Sequence, residues 1–253
     1  MFHVDYRNGV ATLTMARAPV NAMSVEWIAA FHRELDRLAA ASDWRLLHIR
    51  SAQKIFSAGA DLAEVRARFE GTDGEREMVA YVEKLQALFA RVEELPQITV
   101  AEIGGAALGG GFELTLACDF RIAAAEAKLG LPEVNLGLIP GAGGTQRLSR
   151  LVGLGLATRL ILGAEVVTGS EAAAFGMVQW AVARDALADA AQALVARLAK
   201  PSSAAQGATK ACIQGAYKPG VDGFAAERKA VGAMMGVADT QARVTAFLAG
   251  HRH

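Results

Sequence analysis

An excess of charge of either sign is missing from this sequence: 26 Lys and Arg balance 26 Asp and Glu over 253 residues, for a formal net charge of zero. Broad binding to nucleic acid or to an anionic membrane surface thereby loses its main driving force, because no surplus of cations can displace counterions. Cysteine is nearly missing as well. Cys118 and Cys212 are the two present and they form no CxxC pair. Neither a disulfide framework nor a thiolate metal site is expected, and a reducing, cytoplasmic setting is the simplest one. Aromatic residues make up 6% of the chain, and they do not interleave with basic ones as a nucleic-acid surface would need. No run approaches the roughly 20 uninterrupted apolar residues of a membrane span. The opening Met1-Phe2-His3-Val4-Asp5-Tyr6 lacks the basic region and apolar core of a signal peptide.

What is present is core-forming material. Hydrophobic residues make up 53%, and glycine (26) far outnumbers proline (6). A chain of this size buries about three quarters of its unfolded surface, so it needs neither disulfide nor metal to fold. Its glycines and alanines suit close approach of backbone segments.

Periodicity predicts an α/β protein. Phe2–Arg7 and Val10–Met15 alternate around an Asn8-Gly9 turn, which is a hairpin signal. Ser24 is placed to cap a helix over Val25–Ala40, with Trp27, Ile28, Phe31, Leu35 and Leu38 along one side. A short buried strand around Leu46–Ile49 follows, then a loop over 52–60, and Asp61 opens the next helix. Residues 62–94 are helical and charged, with a break at Gly71-Thr72-Asp73-Gly74. Strands are expected at 98–103 and 120–123, with a glycine-rich turn and a helix over 112–118 between them. Beyond about residue 145 the pattern is helical: 145–152, 155–162, 170–175, 183–198, 203–217 and 221–249. Alternating strand and helix indicates α/β layering, and nothing marks the C-terminal helices as an independent domain.

Most motifs that carry chemistry are absent. Gly141-Ala142-Gly143-Gly144-Thr145-Gln146 fails GxGxxG at its sixth position and lacks the Lys-Ser/Thr ending of a phosphate loop. No serine sits in a GxSxG elbow. No HExxH or other metal spacing involves the five histidines.

Three segments remain. In Phe56-Ser57-Ala58-Gly59-Ala60-Asp61-Leu62, small residues let a ligand reach the backbone; alternatively this is an ordinary capped loop. In Leu108-Gly109-Gly110-Gly111-Phe112-Glu113-Leu114, a strand-to-helix junction exposes backbone N–H groups. The amides of Gly110 and Ala58 are candidates to converge on a developing oxyanion. Glu113 returns to the same end after one helical turn, where it either serves chemistry or merely complements the helix terminus. In the segment 131–144, Glu133 lies among apolar residues, so desolvation would raise its pKa and make it a useful acid. Its plainer reading is a partly exposed loop glutamate.

Taken in order, FSAGADL (56–62), ALGGGFELTLACD (107–119) and LPEVNLGLIPGAGGTQRLSRLVG (131–153) resemble the crotonase family, the enoyl-CoA hydratase/isomerase superfamily. A looser likeness begins at ARAPVNAMS (16–24) and covers essentially the whole chain. The resemblance implies a spiral of ββα turns over residues 1–195, completed by a helical region over 196–253 that drives trimers, often paired into hexamers. It implies a coenzyme A thioester as substrate, with no metal or redox cofactor, no nucleic acid and no membrane. By motif position, the oxyanion amides fall on Ala58 and Gly110, and the two hydratase glutamates on Glu113 and Glu133. Gly141 matches the residue whose amide helps hold the attacking water. Val20, Ala60, Asp61, Leu62, Gly109 and Pro132 are placed around the substrate with it.

Both glutamates together point to a lyase that hydrates trans-2-enoyl-CoA in fatty-acid metabolism. An isomerase of the Δ3,Δ2 or aromatic acyl-CoA type is the alternative on the same fold, and a non-catalytic or RNA-associating member the distant one. Three departures stand out. Arg17–Met23 is shorter than the usual form and lacks its lysine, which leaves Lys54 and Arg66 as the nearest basic candidates for the coenzyme A nucleotide. Phe112 stands where a smaller residue is common. Residues 66–96, where acyl specificity usually resides, follow no fixed pattern.

Overall fold

Asn8 and Gly9 both adopt positive φ (52° and 76°), as a tight hairpin turn with the right twist requires. They join β1 (Phe2–Arg7) to β2 (Val10–Met15) in an antiparallel pair with Val4 opposite Leu13. The computed structural model describes residues 1–41 and 43–250. The Ser24 hydroxyl accepts the Trp27 N–H at 3.1 Å and caps α1 (Val25–Ala40), which buries the expected Trp27, Ile28, Phe31, Leu35 and Leu38. The helix returns the chain to β3 (Leu46–Ser51), which lies parallel to β2.

Two helices follow, α2 (Leu62–Glu70) and α3 (Gly74–Glu94), separated at the expected break. Then come β4 (Ile98–Ile103), the two-residue β5 (Ala107–Leu108), α4 (Gly110–Leu116), β6 (Phe120–Ala124) and β7 (Lys128–Gly130). The C-terminal half adds α5 (Gly144–Val152), α6 (Leu154–Leu162), β8 (Val167–Thr168), α7 (Gly169–Ala174), β9 (Trp180–Val182), α8 (Leu187–Leu198), α9 (Ser203–Gly215), α10 (Gly223–Met235) and α11 (Ala238–Gly250).

The strands divide between two sheets. The larger has the order β1-β2-β3-β4-β6-β9 and is parallel beyond its opening hairpin. The smaller has the order β5-β7-β8. Each pass of the chain lays a strand in the large sheet and then a short extended piece beside the small one: β3 then Ser57, β4 then β5, β6 then β7. Ser57 bridges Ala107 in parallel, and Ala107 pairs with Leu129. This is the ββα spiral of the crotonase fold. Its core lies where Leu13, Ile49, Val100 and Ile122 of the large sheet meet Phe31 of α1 and Phe89 of α3, all buried.

Several local expectations are corrected. β5, β7, β8 and β9 lie where no strand was expected, because two or three residues are too few to show a period. The helix expected to begin at Phe112 begins at Gly110. The segment 221–249 is two helices, divided at Gly236-Val237. Neither α10 nor α11 has a buried residue, and Phe224, Met235 and Phe247 are exposed. Residues 251–253 of the expected C-terminal region lie outside the described residues. Among the described residues, no helix is long and apolar enough to cross a membrane.

Candidate active site

The spiral stacks the FSAGADL loop directly on the start of α4. A Cβ on Gly59 (φ +87°) would lie 2.8 Å from both the Gly110 nitrogen and the Leu108 carbonyl oxygen. At such distances only glycine fits, so the two segments meet backbone to backbone. The Ser57 hydroxyl ties the loop down: it donates to the Asn21 carbonyl at 2.9 Å and accepts the Gly59 N–H at 3.1 Å.

This packing decides which amides are open. The Ala58 N–H, expected as an oxyanion donor, instead donates to the Val20 carbonyl at 3.0 Å. That expectation is corrected, because a committed N–H has nothing left to give a ligand. The amides of Ala60 and Gly110 have no acceptor among the described residues. A Cβ on Gly110 would lie 3.6 Å from the Ala60 nitrogen, so the two open donors are neighbours.

One turn into α4, Glu113 is 2% exposed. Its Oε1 accepts the Gly144 N–H at 2.7 Å. A Cβ on Gly144 would stand 2.8 Å from that oxygen, so glycine is needed for the approach. Burial pushes the Glu113 carboxyl up to about 7; the Glu133 carboxylate adds to the rise, while the Gly144 and Ala142 amides and the Arg147 guanidinium oppose it. Glu133 begins a 3-10 turn, Glu133–Leu136. Its Oε2 is buried without a hydrogen-bond partner among the described residues. Burial raises its pKa as well, opposed by its own backbone amide. Gly109 (φ +52°) makes room for it, since a Cβ there would lie 2.9 Å from Glu133 Oε1.

Both carboxyls open on a cavity of about 860 Å³, together with Ala58, Ala60, Leu62, Gly109, Gly110, Pro132 and Gly141. Two expected residues stay outside it. Val20 acts from behind through the carbonyl that holds Ala58. Asp61 caps α2 by accepting the Ala63 N–H at 3.1 Å and pairs with Arg17 at 2.9 Å. Lys54 and Arg66 are exposed and do not line the cavity. Phe112 is fully buried and turned into the core.

The segment 66–96, expected to set acyl specificity, contains α3, none of whose residues was singled out for the site; that helix and the start of α2 form the apolar wall through Val65, Met78, Tyr81, Val82 and Leu85. The available signal was the i, i+3, i+4, i+7 spacing of Met78, Tyr81, Val82 and Leu85. Tyr81 is anchored by donating its hydroxyl to the Met23 carbonyl at 2.5 Å. Among the described residues, no three His, Cys, Asp or Glu side chains are grouped as a metal would require. The site therefore combines an apolar pocket, two adjacent open amides and two carboxyls with raised pKa.

A family model described as enoyl-CoA hydratase/isomerase matches residues 5–252. A "Probable enoyl-CoA hydratase" of Bacillus subtilis (strain 168) is 42% identical over 194 residues, 76% of this chain and 74% of that protein. The human mitochondrial methylglutaconyl-CoA hydratase is 42% identical over 192 residues, which are 75% of this chain but 55% of that longer protein. A crystal structure of an enoyl-CoA hydratase from Bacillus anthracis superposes with a TM-score of 0.91 at 34% identity, covering 98% of this chain and 96% of that one. The chain belongs to the enoyl-CoA hydratase/isomerase family, with the crotonase fold. Its relatives include hydratases of acyl-CoA thioesters.

Proposed function

We propose that the protein hydrates a trans-2-enoyl-CoA to a 3-hydroxyacyl-CoA. The observation that carries this reading is the pairing of Glu113 and Glu133, both with raised pKa, on one cavity beside two open amides. The thioester oxygen is held by the Ala60 and Gly110 N–H groups, which stabilise the enolate-like charge that develops on it. Water lies between the carboxyls and within reach of the Gly141 amide. Glu113 takes a proton from that water as its oxygen bonds to C3, and Glu133 delivers a proton to C2. Proton exchange within the pair or with solvent restores the starting state. The two carboxyls titrate as a coupled pair, so acid and base are roles of the pair. The acyl chain lies along the apolar wall of α2 and α3. Coenzyme A enters as part of the substrate, and the chemistry asks for no metal or redox cofactor.

The test is crotonyl-CoA, followed by loss of the conjugated thioester absorbance. Hydration supports the reading; no hydration, with isomerisation of a 3-enoyl-CoA, replaces it by the isomerase. We also propose a trimer, alone or paired into a hexamer, with partner copies covering the exposed Phe224, Met235 and Phe247 of α10 and α11. Two unpaired cysteines, one of them buried, suit a cytoplasmic setting.

A further inference from the structure

The turn that presents the Gly144 amide to Glu113 is held at two consecutive carbonyls. Gln86 Nε2 donates to the Gly141 carbonyl at 2.6 Å. Arg147 Nη1 donates to the Ala142 carbonyl at 2.9 Å, and Arg147 Nε and Nη2 donate to Glu93 Oε2 at 3.1 and 2.7 Å. Gln86 and Glu93 both belong to α3, about two turns apart and so on one face. Val82, one turn before Gln86, presses on the same place: a Cβ on Gly141 would lie 3.2 Å from its Cγ2.

A peptide unit is planar and trans, so its C=O and N–H point in opposite directions. The carbonyl of Gly141 and the N–H of Ala142 belong to one unit. A donor that fixes that carbonyl therefore fixes the plane of this unit, and with it the turn whose Gly144 N–H donates to Glu113 Oε1 at 2.7 Å.

We propose that Gln86 is a positioning residue for Glu113: by holding the Gly141 carbonyl, it sets the turn that keeps the Gly144 amide directed at the Glu113 carboxylate. The wall of the acyl pocket thereby becomes part of the acid–base machinery, and displacement of α3 detunes the base. The catalytic half of this proposal rests on the hydratase reading above, in which Glu113 must be ionised to accept a proton. The charged groups around Glu113 are Glu133 from the 3-10 turn and Arg147 from α5, with Glu83 of α3 also on the cavity. Substitution of Gln86 leaves all three in place.

The experiment uses Gln86→Met, which keeps the length and removes the donor. Gln86 is exposed, and Arg147 still holds the neighbouring carbonyl. Should Gln86→Met nonetheless fail to fold, Gln86→Leu serves instead, since it also removes the donor and adds no charge. The first readout needs no turnover: a carbon-13 carboxyl titration of Glu113, its resonance assigned by loss in Glu113→Gln. Losing one hydrogen bond to the turn should raise that midpoint by about half a unit to one unit. The second is the pH profile with crotonyl-CoA. Its acid limb should move to higher pH by the same amount, with kcat at pH 6 about three- to tenfold lower and KM little changed.

An unmoved Glu113 midpoint overturns the proposal, and so does a change confined to KM, which would make Gln86 only a pocket residue. If the wild-type protein hydrates no enoyl-CoA, the hydratase reading fails, while the carboxyl titration still decides the role of Gln86.

Discussion

The Cβ that Gly59 lacks would stand 2.8 Å from the amide nitrogen of Gly110, 51 positions further along the chain. Gly59 also has φ +87°, so its conformation and its contact both exclude a side chain. The neighbouring open amides of Ala60 and Gly110 exist because these two glycines touch. Gly59→Ala is expected to push the loop off α4 and lower kcat at saturating crotonyl-CoA by about 10²-fold or more, the scale of losing one oxyanion donor. Gly176→Ala is the control. Gly176 also has positive φ (+75°), but nothing lies within 4 Å of its missing Cβ. It should lose about 1–3 kcal/mol of stability to backbone strain and keep its activity.

An amide-to-ester replacement separates Ala60 from Ala58. An ester at position 60 removes an open donor and should lower kcat by about 10²–10³-fold. An ester at position 58 removes the hydrogen bond to Val20, so its effect should be about 0.5–1.5 kcal/mol in stability. The reverse ranking in kcat would return the donor role to Ala58.

Glu113→Gln and Glu133→Gln should each lower kcat by about 10²–10⁴-fold, the contribution of a positioned acid or base. In the proposed mechanism the two share one water, so the double variant should fall little below the worse single one. Steady-state kinetics of the four proteins decides this, and additive losses would show independent carboxyls.

The raised Glu113 pKa also makes a stability prediction. The folded protein holds the Glu113 proton more tightly than the unfolded chain does, with a pKa of about 7 against 4.5. Below pH 4.5 the group is protonated in both states and carries no penalty. As pH rises from about 4.5 to about 7, the unfolded chain loses its proton first, and the folded state is penalised by up to about 3 kcal/mol. Gln imitates the protonated form, so Glu113→Gln should gain on the wild type over that window and level off above it. Urea unfolding at pH 5 and pH 8 measures the difference, and an unchanged difference would contradict the raised pKa.

Lys210 of α9 donates to Asp119 Oδ2 at 2.8 Å and to the Gln97 carbonyl at 3.2 Å, with Lys210 buried. Asp119 Oδ2 also accepts the Thr99 N–H and hydroxyl at 2.8 and 3.0 Å. Lys210→Met leaves that carboxylate without its cation, and should cost about 3 kcal/mol. Lys210→Met combined with Asp119→Asn should recover part of the loss, as a double-mutant cycle in urea would show.

Much of this was legible in local pattern. β1, β2, α1 and β4 each run six residues or more, long enough for an alternating or 3.6-residue period to mark the buried face. Glu113 and Glu133 could be singled out because a carboxyl among small and apolar residues has few structural duties there. β5, β7 and β8 were not legible, since strands of two or three residues exist only because the spiral brings them beside one another. Gln86 carried no signal: its partner, the Gly141 carbonyl, lies 55 residues away and is backbone, which no side-chain pattern records.

By itself, then, the order of residues determined the α/β layering, the capped first helix, the glycines at three close junctions and the two candidate carboxyls. These follow from propensity, period and steric demand, which act within a few residues. The tertiary structure alone decided that the open amide is that of Ala60 and that the Ala58 N–H is already committed. That choice depends on where the Val20 carbonyl arrives, and a hydrogen bond between distant backbone groups leaves no local trace in the residues that make it. The balance of 26 cations against 26 anions has the same limit. It removes a long-range electrostatic partner, while the charge that matters at the cavity is set by burial of two carboxyls and by the amides aimed at them.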